Sequence, residues 1–208
     1  ADICFVKQIK YKDKFLFNIR IKGDLKKFLI SKELSNYKEN ILATLSVLVN
    51  YFDSEKLKKD LFSGFGIPKS RGSVVMYKKR SKKLTIIDES YNSNPLSMRF
   101  ALERFESMQI KRSKKFLLIG NMLELGKHAK KLHIKIADNI NKLKVNKTYV
   151  YGKYTKHTFN KLKPQMRGKI LNNKLEILNL IKKQLPNNSF LMIKGSNSTG
   201  LNKIIKNL

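Results

Sequence analysis

Residues 86–98 read Ile86-Ile87-Asp88-Glu89-Ser90-Tyr91-Asn92-Ser93-Asn94-Pro95-Leu96-Ser97-Met98. An apolar run stops at two acids, a polar loop with two asparagines and a proline follows, and a helical pattern begins. Pro95 suits the first turn of a helix over 95–108, where its missing N–H costs nothing, and Asn94 is placed to cap that helix. Upstream, SVVMYK and KLTIID predict a hairpin with KKRS between them. Downstream, strand and helix patterns alternate. KFLLIG (115–120) is a short apolar run of the kind found in buried parallel strands. An amphipathic helix over 127–144, a strand over 148–152, a helix over 154–162 and a short strand over 169–171 come next. A helix over 173–185, the strand FLMIKG (190–195) and a closing helix complete the pattern. Such alternation predicts an α/β fold: a mostly parallel, doubly wound sheet with helices on both faces.

Working toward the other end, residues 14–22 alternate apolar and polar and predict a half-buried strand paired with residues 2–8. ENILATLSVLVNYF (39–52) has little polar face and predicts a buried helix. SEKLKKDLF (54–62) predicts a second helix with Ser54 as its cap. Gly64, Gly66, Pro68 and Gly72 then mark a linker, which divides the chain into residues 1–69 and 70–208. Ala1 reads as though a strand were already under way, so a piece of a longer protein is expected.

Hydrophobic residues make up 41% of the 208, enough for a real core. Cys4 stands alone, which excludes a disulfide framework within the chain and any zinc spacing. A reducing, cytoplasmic compartment is the expectation. Cys4 has no activating base nearby in sequence and reads as a small core residue. No apolar run reaches the roughly 18–20 residues of a membrane span, and the first residues show no signal pattern. The net charge is +30, and such a field attracts polyanions. Only seven of the 45 basic residues are arginine, and the lysines are spread along the whole length. Lys, Asn and Ile, all abundant, share A/T-rich codons, so compositional drift accounts for the charge. Dedicated nucleic-acid readers use arginine forks and interleaved aromatics, and no such block occurs. Nucleic acid is expected to bind only non-specifically, through charge.

Ligands of open α/β sheets lie beyond the carboxyl ends of the strands, and three such ends here are polar. GNMLELGKH (120–128) is not a phosphate loop: five residues separate Gly120 from Gly126, and His128 follows Lys127 where a hydroxyl is required. In KGSNSTG (194–200), Lys194 could hold a carboxylate or phosphate beside a helix N-terminus. It could equally sit in an ordinary turn capped by Ser198 or Thr199. In the opening loop, Asp88 could accept from a ribose diol or, with Asn92, simply form a turn. Asp88 and Glu89 are consecutive in a strand, point to opposite faces and do not form an acid–base pair. No metal spacing links His128, His133 and His157, which read as surface or packing residues.

In order and spacing, IIDESYNSNPLSM, LLIGNMLELGKHAKKLH and LMIKGSNS resemble the Mur ligases, within them the branch that joins D-Ala-D-Ala to a UDP-N-acetylmuramoyl-tripeptide. SNYKENILATLSVL resembles that family's Gly-x-His-x-x-x-Asn segment, and PKSRGSVV its Gly-Arg linker. The resemblance covers nearly the whole chain. It implies that residues 1–69 are the C-terminal part of a central ATP-binding domain and that 70–208 are a Rossmann-like C-terminal domain. It implies ATP and Mg2+ as cofactors, phosphorylation of a carboxylate, and attack on the acyl phosphate by the dipeptide's amine. By position, Asn40 matches the asparagine near adenine, Arg71 the linker arginine that reaches the nucleotide, and Asp88 the ribose-contacting acid. Tyr91, Asn92 and Asn94 match the loop facing the cleft, the first two on the ATP side. Asn94, Lys194 and Ser196 fall on the D-Ala-D-Ala side. Asn36 stands where the family has histidine, the glycine before it is missing, and Asn121 stands where the family has aspartate. The family's phosphate loop, magnesium-binding acid, modified lysine and UDP-binding domain are expected upstream, so this chain alone is not expected to turn over. Two alternatives stay open: a Mur ligase that adds a different amino acid, and a basic nucleic-acid-binding module on a degenerated ligase fold.

Overall fold

The computed structural model describes residues 2–208, so Ala1 lies outside the described residues. The chain divides into two compact units, Ala1–Ile67 and Pro68–Leu208.

In the first unit, β1 (Ile3–Tyr11), β2 (Lys14–Ile21) and β3 (Asp24–Ser31) form an antiparallel sheet in that order. Alternation along β2 and β3 sends Phe17, Ile19, Ile21, Phe28 and Ile30 to one face, where α1 (Lys38–Leu48) adds Ile41 and Leu45. Cys4 on β1 is half-buried. Two helix expectations need correction. The helix expected over 39–52 ends at Leu48 and is not buried all round: Ile41 and Leu45 are inside, whereas Val47 is 58% exposed. The helix expected over 54–62 is a single 3-10 turn, Ser54–Lys56, preceded by Asp53 and with no side-chain cap. Tertiary contacts override the local pattern there. The Lys59 carbonyl accepts from the Leu29 N–H at 2.7 Å, and the Phe62 ring packs edge-on to Phe28 at 5.9 Å.

The second unit is a six-stranded sheet in the order β4 (Ser73–Lys79), β5 (Lys82–Glu89), β9 (Ser189–Lys194), β6 (Lys115–Gly120), β7 (Lys147–Tyr151), β8 (Arg167–Leu171). β4 is antiparallel to β5, and the other pairings are parallel. Residues of opposite parity feed opposite cores. Ile87, Leu117, Ile119 and Met192 meet α2 (Pro95–Ser107) and α3 (Ala129–Ile140). Ile86, Leu118, Leu191 and Ile193 meet α5 (Lys174–Asn179) and α6 (Leu201–Lys206). The short α4 (Thr155–Lys161) joins β7 to β8. In place of one helix over 173–185, α5 runs into a wider π turn, Leu180–Gln184, that still buries Leu180 and Ile181. β6 is buried along its whole length. β4 forms one edge, with Val74 and Met76 exposed and Lys78 and Lys79 facing solvent. The chain passes over β9 in going from β5 to β6 and returns to fill that gap last. The order of the sheet therefore switches where β5, β9 and β6 end.

Candidate functional site

The loops after these three strands interlock. Ser196, 6% exposed, is the clasp. Its hydroxyl donates to the Ser93 carbonyl at 3.3 Å and accepts from the Leu123 N–H at 2.9 Å, while its own N–H donates to the Asn121 carbonyl at 2.9 Å. Glycines let the strand ends come this close. A Cβ on Gly120 would lie 2.6 Å from Leu201 Cδ1 and 3.3 Å from Gly195 Cα.

Lys194 ends β9 with 2% exposure. Its ammonium donates to the Asn92 carbonyl at 3.1 Å and faces Glu89 Oε2 at 3.9 Å. Burial pushes its pKa down from the ordinary lysine value. Glu89 partly offsets this, and the Arg104 and Arg71 charges add to it. Glu89 and Lys194 are direct cross-strand partners, so both point to the α2 side of the sheet, where Glu89 also pairs with Arg104.

Asp88 points the other way and is 5% exposed. Its Oδ2 accepts from the Ser70 hydroxyl at 2.8 Å, and its Oδ1 accepts from the Ser90 N–H at 3.0 Å and the Ser90 hydroxyl at 2.5 Å. The Asp88 carbonyl accepts from the Gly72 N–H at 2.7 Å, and the Ser70 carbonyl accepts from the Tyr91 N–H at 3.0 Å. Residues 70–72 are thus pinned to the end of β5. Between these pins Arg71 is exposed, its guanidinium 4.4 Å from the centroid of the exposed Tyr91 ring.

The structure brings Arg71, Asp88, Tyr91, Asn92, Lys194 and Ser196 together in one unit. Asn40 belongs to the other unit, exposed on α1, its carbonyl accepting from Thr44 Oγ1. Asn94 is exposed and occupied as the cap of α2. Its Oδ1 accepts from the Ser97 N–H at 2.8 Å, and Ser97 Oγ accepts from the Asn94 N–H at 3.1 Å. The third loop differs from expectation. A 3-10 turn, Asn197–Thr199, intervenes before α6, whose N-cap position is Gly200 at φ +75°, and neither Ser198 nor Thr199 caps it. No sequence pattern marks Glu89, Arg104, Ser70 or Ser90 as site residues, because their roles depend on strand register and on the path of the linker.

His133 is 1% exposed and holds the second loop. Its Nδ1 lies 2.7 Å from the Ala129 carbonyl and its Nε2 is 3.0 Å from the Met122 amide, whose N–H it accepts. This network assigns the neutral tautomer protonated at Nδ1. Burial pulls its pKa below the ordinary histidine value. As pH falls below about 6.5 the unfolded chain takes up that proton first, so stability declines until the folded value is passed. Between about pH 7 and about pH 5, His133→Gln is expected to lose this part of the pH dependence of the urea midpoint. An unchanged slope would refute the assignment.

The described residues include no group of three or more His, Cys, Asp or Glu that could hold a metal ion, and no helix long and apolar enough to cross a membrane.

The sequence profile of the family described as "Mur ligase, glutamate ligase domain" matches residues 75–197, more than half of the chain. The chain belongs to the Mur ligase family. Among curated Mur ligases, the UDP-N-acetylmuramoyl-tripeptide–D-alanyl-D-alanine ligase of Rickettsia prowazekii is 28% identical over 177 residues, covering 85% of this chain and 37% of that enzyme. The enzyme of the same name from Bacillus subtilis is 29% identical, covering 62% of this chain and 29% of its own length. The chain therefore spans about a third of these relatives. Among solved structures, the MurF ligase of Thermotoga maritima in complex with ADP aligns with a TM-score of 0.71 at 18% identity, over 99% of this chain and 45% of that one. MurF of Acinetobacter baumannii aligns with a TM-score of 0.72 at 18% identity, over 100% and 44%. At such identities the likeness establishes the fold of a Mur ligase.

Asn121, after β6, has a structural task. Its Oδ1 accepts from the Tyr154 and Thr155 N–H groups at 3.1 and 3.3 Å, at the start of α4. Gly152, with φ +121°, leaves room for it: a Cβ there would meet the Asn121 amide at 2.6 Å.

Proposed function

We propose that this chain is the closing portion of a cytoplasmic, ATP-dependent ligase that adds D-Ala-D-Ala to UDP-N-acetylmuramoyl-tripeptide, a step of peptidoglycan precursor synthesis. The observation that carries this reading is the Ser196 clasp, which holds three loops together where a sheet of this family's fold switches order. Residues 1–69 are the tail of the central ATP-binding domain, with Asn40 on the adenine side, and 70–208 are the C-terminal domain.

ATP supplies the activation of the tripeptide carboxylate. The chain's own contribution is to bind and orient. Arg71 and Tyr91 are exposed and stacked, a surface suited to a nucleotide's base and phosphates. Asp88 holds both neighbours of Arg71 and is the ribose acceptor of this reading, and Asn92, four residues on in the same loop, is assigned to the ATP side with it. On the dipeptide side, Lys194 offers a cation to a carboxylate, with Ser196 and Asn94 fixing the loops around it. In this reading the Mg2+ ligands belong to the upstream half, which it requires as a partner.

Fusing residues 1–208 to the phosphate-loop-bearing upstream portion of a relative gives a direct test. ADP release is expected only when both tripeptide and D-Ala-D-Ala are present. A folded fusion that releases no ADP with both substrates would end this reading.

A further inference from the structure

Lys194 is a buried cation at the centre of the site, and what surrounds it is uneven. One N–H goes to the Asn92 carbonyl at 3.1 Å, and the nearest carboxylate oxygen, on Glu89, lies 3.9 Å away. That carboxylate is shared. Its other oxygen is held by Arg104, which reaches up from α2 and lies against Gly72, where a Cβ would come within 2.8 Å of Nη1. A line of contacts therefore runs from the linker through Arg104 and Glu89 to Lys194, and on to the loop that covers it.

We propose that Glu89 and Arg104 are positioning residues for Lys194: Arg104 fixes the Glu89 carboxylate, and Glu89 holds the lysine as an ammonium beneath Asn92, ready for an anionic ligand group. Among the described residues Glu89 is the one carboxylate facing Lys194, and Arg104 and Arg71 are the cations whose charges oppose its ammonium. The two positioning residues act in opposite senses. Removing the carboxylate leaves the ammonium with burial and two like charges, which favours the neutral amine. Removing the guanidinium lets Glu89 serve Lys194 alone, which favours the ammonium. The identity of the ligand group, the carboxylate of D-Ala-D-Ala, rests on the ligase reading; the charge arrangement does not.

The test follows the lysine side-chain resonances of the 208-residue chain with pH, assigning Lys194 as the signal lost in Lys194→Met. Glu89→Gln is expected to move its titration midpoint down, Arg104→Met to move it up, and Glu89→Asp to restore most of the wild-type value. Unfolding would raise the midpoint to the ordinary lysine value, so the fall in Glu89→Gln cannot come from loss of fold, and the rise in Arg104→Met is read only from a variant that keeps the folded spectrum and stops short of that value. A midpoint that stays put in Glu89→Gln would overturn the proposal. D-Ala-D-Ala is then added at constant pH, alongside its C-terminal amide and inorganic phosphate. A Lys194 response to the dipeptide alone supports the carboxylate assignment, and a response to phosphate instead removes it. Both parts run without ATP or tripeptide, so failure of the ligase reading would leave the titration result intact.

Discussion

Replacing Asp88 with alanine is expected to destabilise the Pro68–Leu208 unit by about 3 kcal/mol, with Asp88→Asn costing roughly 1 kcal/mol. The carboxylate is buried and accepts from Ser70 Oγ, Ser90 N and Ser90 Oγ. Alanine leaves all three donors without their acceptor, and each buried donor so abandoned costs on the order of 1–3 kcal/mol. Asparagine keeps one oxygen in place, which explains the smaller loss. Urea unfolding of the three proteins would read the difference as a shift in midpoint at constant slope. If Asp88→Ala unfolds with the wild-type midpoint, the carboxylate does not hold the linker to β5. If asparagine proves as harmful as alanine, the negative charge rather than the acceptor geometry matters.

Gly72→Ala is the second large effect, about 2 kcal/mol. Gly72 sits at φ +95°, where an L side chain costs roughly 1–2 kcal/mol. The new methyl would also lie 2.8 Å from Arg104 Nη1 and push the guanidinium off Glu89. The linker glycine Gly66 is the control, since a Cβ there meets nothing within 4 Å. Gly66→Ala should leave the thermal midpoint within experimental scatter while Gly72→Ala lowers it by several degrees. Equal midpoints for the two variants would mean that neither the backbone conformation nor the Arg104 contact matters to stability.

The sheet of the second unit was legible because β6 and β9 are buried on both faces and read as unbroken apolar runs. β3 was not, since Lys26 and Lys27 interrupt an alternation that Phe28 and Ile30 alone carry. The segment after Ser54 shows the opposite failure: its pattern is helical, but Phe62 and the Lys59 carbonyl are claimed by β3. Within the site, the three loops could be read because polar residues stand immediately after apolar strands. Pro95 and Asn94 likewise announced the start of α2. The Glu89–Lys194 pair could not, because it exists only through the register of β5 against β9, two strands about a hundred residues apart. The task of Ser70 was hidden for the same reason: its hydroxyl meets an acid 18 positions away.

β4 gives part of the chain's positive excess a role that needs no ligand. An edge strand with Val74 and Met76 exposed is an invitation for a second copy to add its own edge. Lys78 and Lys79 at the end of that strand, with Arg80 at the turn beyond, would face their own copies in a parallel in-register self-pairing, and in an antiparallel one they would still bring more positive charge against an already basic chain. The lysines thereby act as a colloidal guard, one that screening by concentrated salt would weaken. A basic composition can in this way keep an exposed apolar edge in solution.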